Sequence, residues 1–154
     1  GVNHHLAIIK RLMKAQKKCQ VIALCGSNNK TLLELRKIPH SDYLDVVALS
    51  QVGATEMVSL LRTVDLMVAR PGAGLTTEAI VTGCPMIFDL TGGCMPQEHN
   101  NLNFWKSKKG SIVSFYSISK LINILQEKQP IPRVKIPLEE SPNLFLDALI
   151  KLVK

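Results

Sequence analysis

The residues best suited to chemistry lie in one stretch, Ala69-Arg70-Pro71-Gly72-Ala73-Gly74-Leu75-Thr76-Thr77-Glu78-Ala79. An apolar strand there meets a glycine-rich turn that opens a helix. Gly72 and Gly74 allow a ligand to come close to the backbone. The unpaired N–H groups at a helix start, with the helix dipole behind them, attract an anion. Thr76 and Thr77 add hydroxyl donors. Glu78 lies about one turn in, where a carboxylate can accept hydrogen bonds from a ribose diol. Arg70 is a candidate phosphate contact and equally a candidate structural residue. No Lys-Ser/Thr pair follows, so this is not a Walker loop, and Thr77 breaks the Gly-x-Gly-x-x-Gly fingerprint. The plain alternative is an ordinary turn with a capping threonine.

A second segment, Pro96-Gln97-Glu98-His99-Asn100-Asn101, follows Thr91-Gly92-Gly93. Gln97 and Glu98 together offer the donors and acceptors that a sugar needs. The alternative is a polar helix start. His99 could serve as a base or simply be solvated.

These segments need a scaffold, and the apolar pattern supplies one. Short strands expected at 20–25, 45–49, 66–69, 86–90 and 112–115 alternate with helices expected at 4–18, 30–37, 56–64, 75–82, 97–108 and 118–127. Near-continuous apolar strands alternating with helices predict crossover units and a parallel sheet covered on both faces. The expected fold is a doubly wound α/β domain of about five strands. In such folds ligands bind beyond the carboxyl ends of the strands, here at the loops 26–29, 50–54, 70–75 and 91–101. Such a domain ordinarily opens with a strand, whereas this chain opens with a helix pattern, so the first strand is expected to be missing. Residues 129–142 carry four prolines and predict an extended tail. Residues 143–154 predict a final amphipathic helix.

Composition narrows the classes further. At 154 residues, one domain is expected over 1–154, with its core at 4–127. A chain of this size buries roughly 68–70% of its unfolded surface and needs no disulfide or metal to fold. With 46% hydrophobic and 20% charged residues it is not a disordered chain. No apolar run approaches the ~18 residues of a membrane span. Cys19, Cys25, Cys84 and Cys94 show neither Cys-x-x-Cys nor zinc-site spacing, which fits a reducing, cytoplasmic setting without a metal site.

The net charge of +7 is uneven: residues 1–37 hold eight basic residues and one acid, whereas residues 38–104 hold two basic and seven acidic. A nucleic-acid binder would place its basic residues at the recognition loops, and here the glycine-rich centre is acidic. No nucleic-acid partner is expected. The basic ends, with Lys10, Arg11, Lys14, Lys17 and Lys18 in the first, suit peripheral attachment to an anionic membrane surface. A solvated helix face is the alternative.

Taken together, Arg70-Pro71-Gly72-Ala73-Gly74…Glu78-Ala79, Gly83-Cys84-Pro85-Met86-Ile87 and Gln97-Glu98…Asn101 resemble the C-terminal domain of GT-B glycosyltransferases. The likeness is closest to monogalactosyldiacylglycerol synthases and bacterial diacylglycerol glucosyltransferases. The peptidoglycan lipid II N-acetylglucosaminyltransferase is a more distant relative. Cys25-Gly26-Ser27-Asn28…Thr31-Leu32 resembles the loop after that family's second strand, and the match runs over roughly residues 20–127 in order and spacing.

The resemblance implies a Rossmann-like half of a GT-B fold and half a site for a UDP-sugar, bound as substrate with no cofactor or metal. Val52 would offer backbone groups to the uracil, with Ser27 and Asn28 on the neighbouring loop. Gly72, Gly74, Leu75 and Thr76 would surround the diphosphate, with Arg70 near it, and Glu78 would hold the ribose. Gln97 and Glu98 would hold sugar hydroxyls, and Asn101 would support their loop. The implied reaction is inverting transfer of a hexose to a lipid acceptor. The acceptor site and base would lie in an N-terminal domain or a partner subunit, as in the two-subunit enzyme of dolichol-linked glycan synthesis. The chain departs from the family pattern at Ser50-Gln51, where Gly-Phe or Gly-Tyr is usual, and at Ser27, where arginine is common. Two other readings stand beside this one: a catalytically degenerate domain that binds a partner protein or membrane surface, which the Ser50-Gln51 departure and the basic ends favour, and a nucleotide-sugar epimerase domain, which shares the two-domain architecture.

Overall fold

A computed structural model describes residues 4–127, together with Ile131 and Arg133. The expected helix at 143–154, and the expected tail apart from Ile131 and Arg133, lie outside the described residues. In chain order the elements are α1 (His5–Lys14), β1 (Cys19–Leu24), α2 (Asn29–Arg36), β2 (Leu44–Leu49), α3 (Ala54–Thr63) and β3 (Met67–Ala69). They continue with α4 (Ala73–Thr82), β4 (Met86–Asp89), α5 (Pro96–Lys109), β5 (Ser114–Phe115) and α6 (Ile118–Gln126). These described elements form two compact units whose boundary falls within α3, between Met57 and Val58, with α6 belonging to the first.

In the first unit β1 and β2 pair in parallel, from Cys19 opposite Leu44 to Leu24 opposite Leu49. Parallel neighbours cannot be joined by a tight turn and need a crossover, which α2 provides. The core gathers Ile9 and Leu12 of α1, Ala23 and Cys25, Leu32 and Leu35 of α2, Leu44 and Ala48 of β2, and Ile122 of α6. Helix α1 thus turns its apolar stripe inward and leaves Lys10, Arg11 and Lys14 exposed. It ends four residues earlier than the sequence pattern predicts. Lys17 N–H bonds to the Leu12 carbonyl (3.2 Å) and Gln16 N–H to that of Met13 (3.1 Å), with Gln16 at φ 47°. This is a Schellman ending in which glutamine fills the left-handed position usually given to glycine.

In the second unit β3, β4 and β5 form a parallel sheet in that order. Strand β4 is buried along its whole length, as a central strand covered on both faces must be. Phe88, Met86, Ile87 and Phe115 are fully enclosed. Trp105 of α5 meets Phe88 edge to face, with ring centroids 5.2 Å apart and planes at 85°. Helix α4 ends at Gly83, which holds the left-handed conformation at φ 74°.

Candidate functional site

In the second unit, the carboxyl ends of β3 and β4 each feed a loop and then a helix. Helix α4 begins at Ala73, two residues before the predicted start, because Gly72 already serves as its extended N-cap (φ −71°, ψ 142°). The turn is held from both sides. Gly72 N–H donates to the Arg70 carbonyl (2.8 Å), and Asn101 Nδ2 donates to the Pro71 carbonyl (2.7 Å). Thr76 N–H is the first to close a helical bond, onto the Gly72 carbonyl (2.9 Å). The amides of Ala73, Gly74 and Leu75 precede it and have no carbonyl one turn back to bind.

Gly72, Ala73 and Gly74 are exposed. A Cβ built on Gly72 or Gly74 meets nothing within 4 Å, and neither residue has positive φ. Neither sterics nor backbone conformation within the protein demands glycine at these positions. What glycine does there is leave the amides uncovered. Glu78 is exposed and stands four residues beyond Gly74, so the two share one face of α4.

The β4–α5 loop is fixed by a charged clamp. Arg70 Nε donates to Glu98 Oε1 (2.8 Å) and Nη2 to Glu98 Oε2 (2.6 Å). The same guanidinium donates from Nη1 to the Thr91 carbonyl (3.1 Å) and from Nη2 to the Gly93 carbonyl (2.7 Å). Glu98 Oε2 also accepts the N–H of Met95 (2.8 Å), the residue that caps α5, closing that half of a capping box. The guanidinium hydrogen bonds, helped by the Met95 amide, outweigh burial and hold the Glu98 carboxyl down at about 2, while Arg70 is pushed up in turn. Upstream, Thr91 donates its N–H (2.9 Å) and its hydroxyl to Asp89 Oδ1. Gly92 and Gly93 then turn the chain at φ 82° and 93°, conformations that an L side chain resists.

The structure thus brings Arg70, Glu98 and Asn101 into one frame around the two loops. Glu98 is buried, with both oxygens engaged by protein, while Gln97, His99 and Asn100 are exposed on the first turn of α5. Leu75 is half-buried. Thr76 is 1% exposed, and its hydroxyl has no partner among the described residues. In the first unit, Ser27 and Asn28 are exposed after β1. Asn28 Oδ1 accepts the Thr31 N–H (3.0 Å) and so caps α2. Val52 is half-buried, beside Gly53, whose N–H donates to Glu56 Oε2 (2.8 Å) at the start of α3.

Sequence reading took the two residues one at a time, Arg70 as a phosphate contact or equally a structural residue and Glu98 as a sugar contact, and missed that they hold each other. It also missed Asp89. A buried carboxylate at a strand end, two residues before a threonine, is the signal that could have shown it. Among the described residues no group of three or more His, Cys, Asp or Glu side chains is placed to hold a metal. No helix there is long and apolar enough to cross a membrane.

The sequence is similar to the processive diacylglycerol beta-glucosyltransferase of Bacillus subtilis strain 168, at 27% identity over 143 residues, covering 86% of this chain and 36% of that protein. It is also similar to the enzyme of the same name from Bacillus pumilus strain SAFR-032, at 25% identity over an alignment of 166, covering 98% of this chain and 41% of that protein. The chain therefore spans well under half the length of these relatives. The model of the glycosyltransferase family 28 C-terminal domain matches residues 3–142. With parallel strands, crossover helices and a glycine turn opening α4, the chain belongs to the glycosyltransferase family 28 C-terminal domain family.

Proposed function

We propose that this domain holds the nucleotide-sugar donor of a hexosyltransferase, a UDP-hexose, with the diphosphate against the amides of Ala73, Gly74 and Leu75. One observation carries the reading. The uncovered amides sit among glycines that neither sterics nor φ requires at positions 72 and 74, and membership of a glycosyltransferase family supports reading them as a donor-binding turn. Glu78, on the same face as Gly74, accepts from the ribose hydroxyls. Gln97, exposed on α5, meets the hexose. Arg70 and Glu98 act as positioning residues that hold the loop carrying Gln97.

The chemistry is displacement at the anomeric carbon. An acceptor hydroxyl attacks C1, the C1–O bond to UDP breaks, and UDP leaves with the bonding pair. A base takes the hydroxyl proton, and a single displacement of this kind inverts C1. The donor half stabilises the charge growing on the departing phosphate, and preoriented amides do this without reorganising during the reaction. The reading gives that task to α4 rather than to a metal ion. The acceptor is a lipid hydroxyl, and its site and the base belong to a further domain or partner subunit. None of the described residues is assigned as the base.

Titrating UDP into the 154-residue chain while following the thermal midpoint tests the proposal. UDP at 100 times its dissociation constant adds roughly 2.7 kcal/mol of stability. No response at millimolar UDP overturns the reading. It would favour a domain that binds a partner without catalysis, as the departure at Ser50-Gln51 suggests.

A further inference from the structure

A nucleoside diphosphate has three parts to recognise. The donor reading above assigns two of them to the second unit, the diphosphate to the amides opening α4 and the ribose to Glu78. The base is left to the other loops at the carboxyl ends of parallel strands. In the first unit these are residues 25–28 after β1 and 50–53 after β2.

A base site needs a surface to stack on, and neither loop holds an aromatic residue. Among the described residues of the first unit, Tyr43 is the one Phe, Tyr or Trp, and it stands before β2, at the opposite end of the strand. An aromatic platform would be worth roughly fivefold to a hundredfold in affinity. A base site also needs fixed hydrogen-bonding groups, and here several are spent on the protein. Asn28 N–H donates to the Cys25 carbonyl (3.0 Å), Asn28 Oδ1 accepts from Thr31 N–H, and Gly53 N–H donates to Glu56 Oε2.

The side chains left to meet a base are Ser27, Ser50 and Gln51, all exposed. Each both donates and accepts, since a hydroxyl rotates and an amide turns over to suit its partner. Val52 brings one main-chain donor beside one acceptor, which fits a carbonyl next to a ring N–H, as in uracil and guanine. Shifted by one atom, the same pair fits a ring nitrogen next to an amine, as in cytosine and adenine. Strong discrimination comes from buried polar groups that the wrong ligand leaves unpaired. Exposed groups are paired again by water and penalise nothing.

We infer that this domain binds nucleoside diphosphates as a class, reading the diphosphate and the ribose without selecting the base. The inference rests on the donor reading and widens it, so that a UDP-hexose is one of several donors the domain accepts.

The test is isothermal titration of the 154-residue chain with UDP, CDP, GDP and ADP at one ionic strength, repeated on Gly74→Ala. The four dissociation constants are expected to lie within about fivefold of one another, and Gly74→Ala to weaken all four alike, by roughly tenfold. A wider spread among the four overturns the inference and leaves the donor reading standing. So does a loss confined to UDP in Gly74→Ala, which would put the other nucleotides elsewhere on the chain. No binding of any of the four at millimolar concentration, or affinities untouched by Gly74→Ala, overturns the donor reading and this inference with it.

Discussion

Arg70 closes on Glu98 with two parallel hydrogen bonds across 28 positions of sequence, joining the end of β3 to the first turn of α5. Glu98 is 4% exposed, whereas the Arg70 side chain is 24% exposed, so removing Arg70 strands a buried charge and removing Glu98 leaves a guanidinium within reach of water. Arg70→Met is expected to destabilise the fold by about 3 kcal/mol and Glu98→Gln by about 1–3 kcal/mol, read as a shift in urea midpoint at constant slope. A change under about 1 kcal/mol would show that the loop holds without the clamp.

The same pair sets an acid limit. The Glu98 carboxyl titrates at about 2 in the folded protein, below its ordinary 4.5. A depressed carboxylate contributes stability that is fully present above the unfolded value and is lost as pH falls through the folded one. The contribution is of order 3 kcal/mol at neutral pH and should decline between about pH 5 and pH 2. Glu98→Gln should flatten that part of the stability–pH curve. An unchanged slope in the variant would assign the acid sensitivity to other carboxylates.

Gly74→Ala separates folding from binding. With no contact waiting for a Cβ and no positive φ, the substitution within α4 should stabilise the helix by about 0.5–1 kcal/mol. It should also weaken UDP binding by roughly tenfold or more, because a methyl group covers the amides, and each 1.4 kcal/mol lost is tenfold. Gly93→Ala, at φ 93°, should instead cost about 1 kcal/mol or more of stability. Retention of full UDP affinity in Gly74→Ala would move the diphosphate away from α4.

Glu78→Ala, at an exposed position, should leave stability within about 0.5 kcal/mol. Isothermal titration should find UDP weakened and inorganic pyrophosphate unchanged, since only UDP carries a ribose. Equal loss for both ligands would contradict a ribose contact.

Thr76→Val replaces a buried, unpartnered hydroxyl with a methyl of similar shape. Removing an unsatisfied polar group should be neutral or stabilise by up to about 1–3 kcal/mol in thermal or urea unfolding. UDP affinity should not change, because the Thr76 amide is already bound to the Gly72 carbonyl. A drop in UDP affinity would place that hydroxyl at the ligand.

The alternation of apolar runs and amphipathic stripes made the order of elements readable, since each element up to Glu127 is encoded by neighbours a few residues apart. Ends were less readable. Helix α1 stops at Lys14 because Gln16 adopts a left-handed turn that its residue type does not announce. Helix α4 starts at Ala73 because Gly72 acts as a cap rather than as mere loop. The site was legible as a set of residue types and not as a set of pairings. Read singly, Arg70 is a phosphate contact or a structural residue and Glu98 a sugar contact, and only the meeting of α5's first turn with the end of β3 spends them on each other. Thr76 reads as one more donor, but the helix phase turns it inward. Asn28 likewise reads as a ligand contact, and its side chain caps α2.

The first two turns of α5 divide their labour by direction. Glu98 and Asn101 reach back to brace Arg70 and the Pro71 carbonyl, while Gln97 and Asn100 look outward. On the proposed donor reading, selectivity among ligands can drift, or be redesigned, by exchanging the outward pair, with the bracing pair left untouched and the architecture undisturbed.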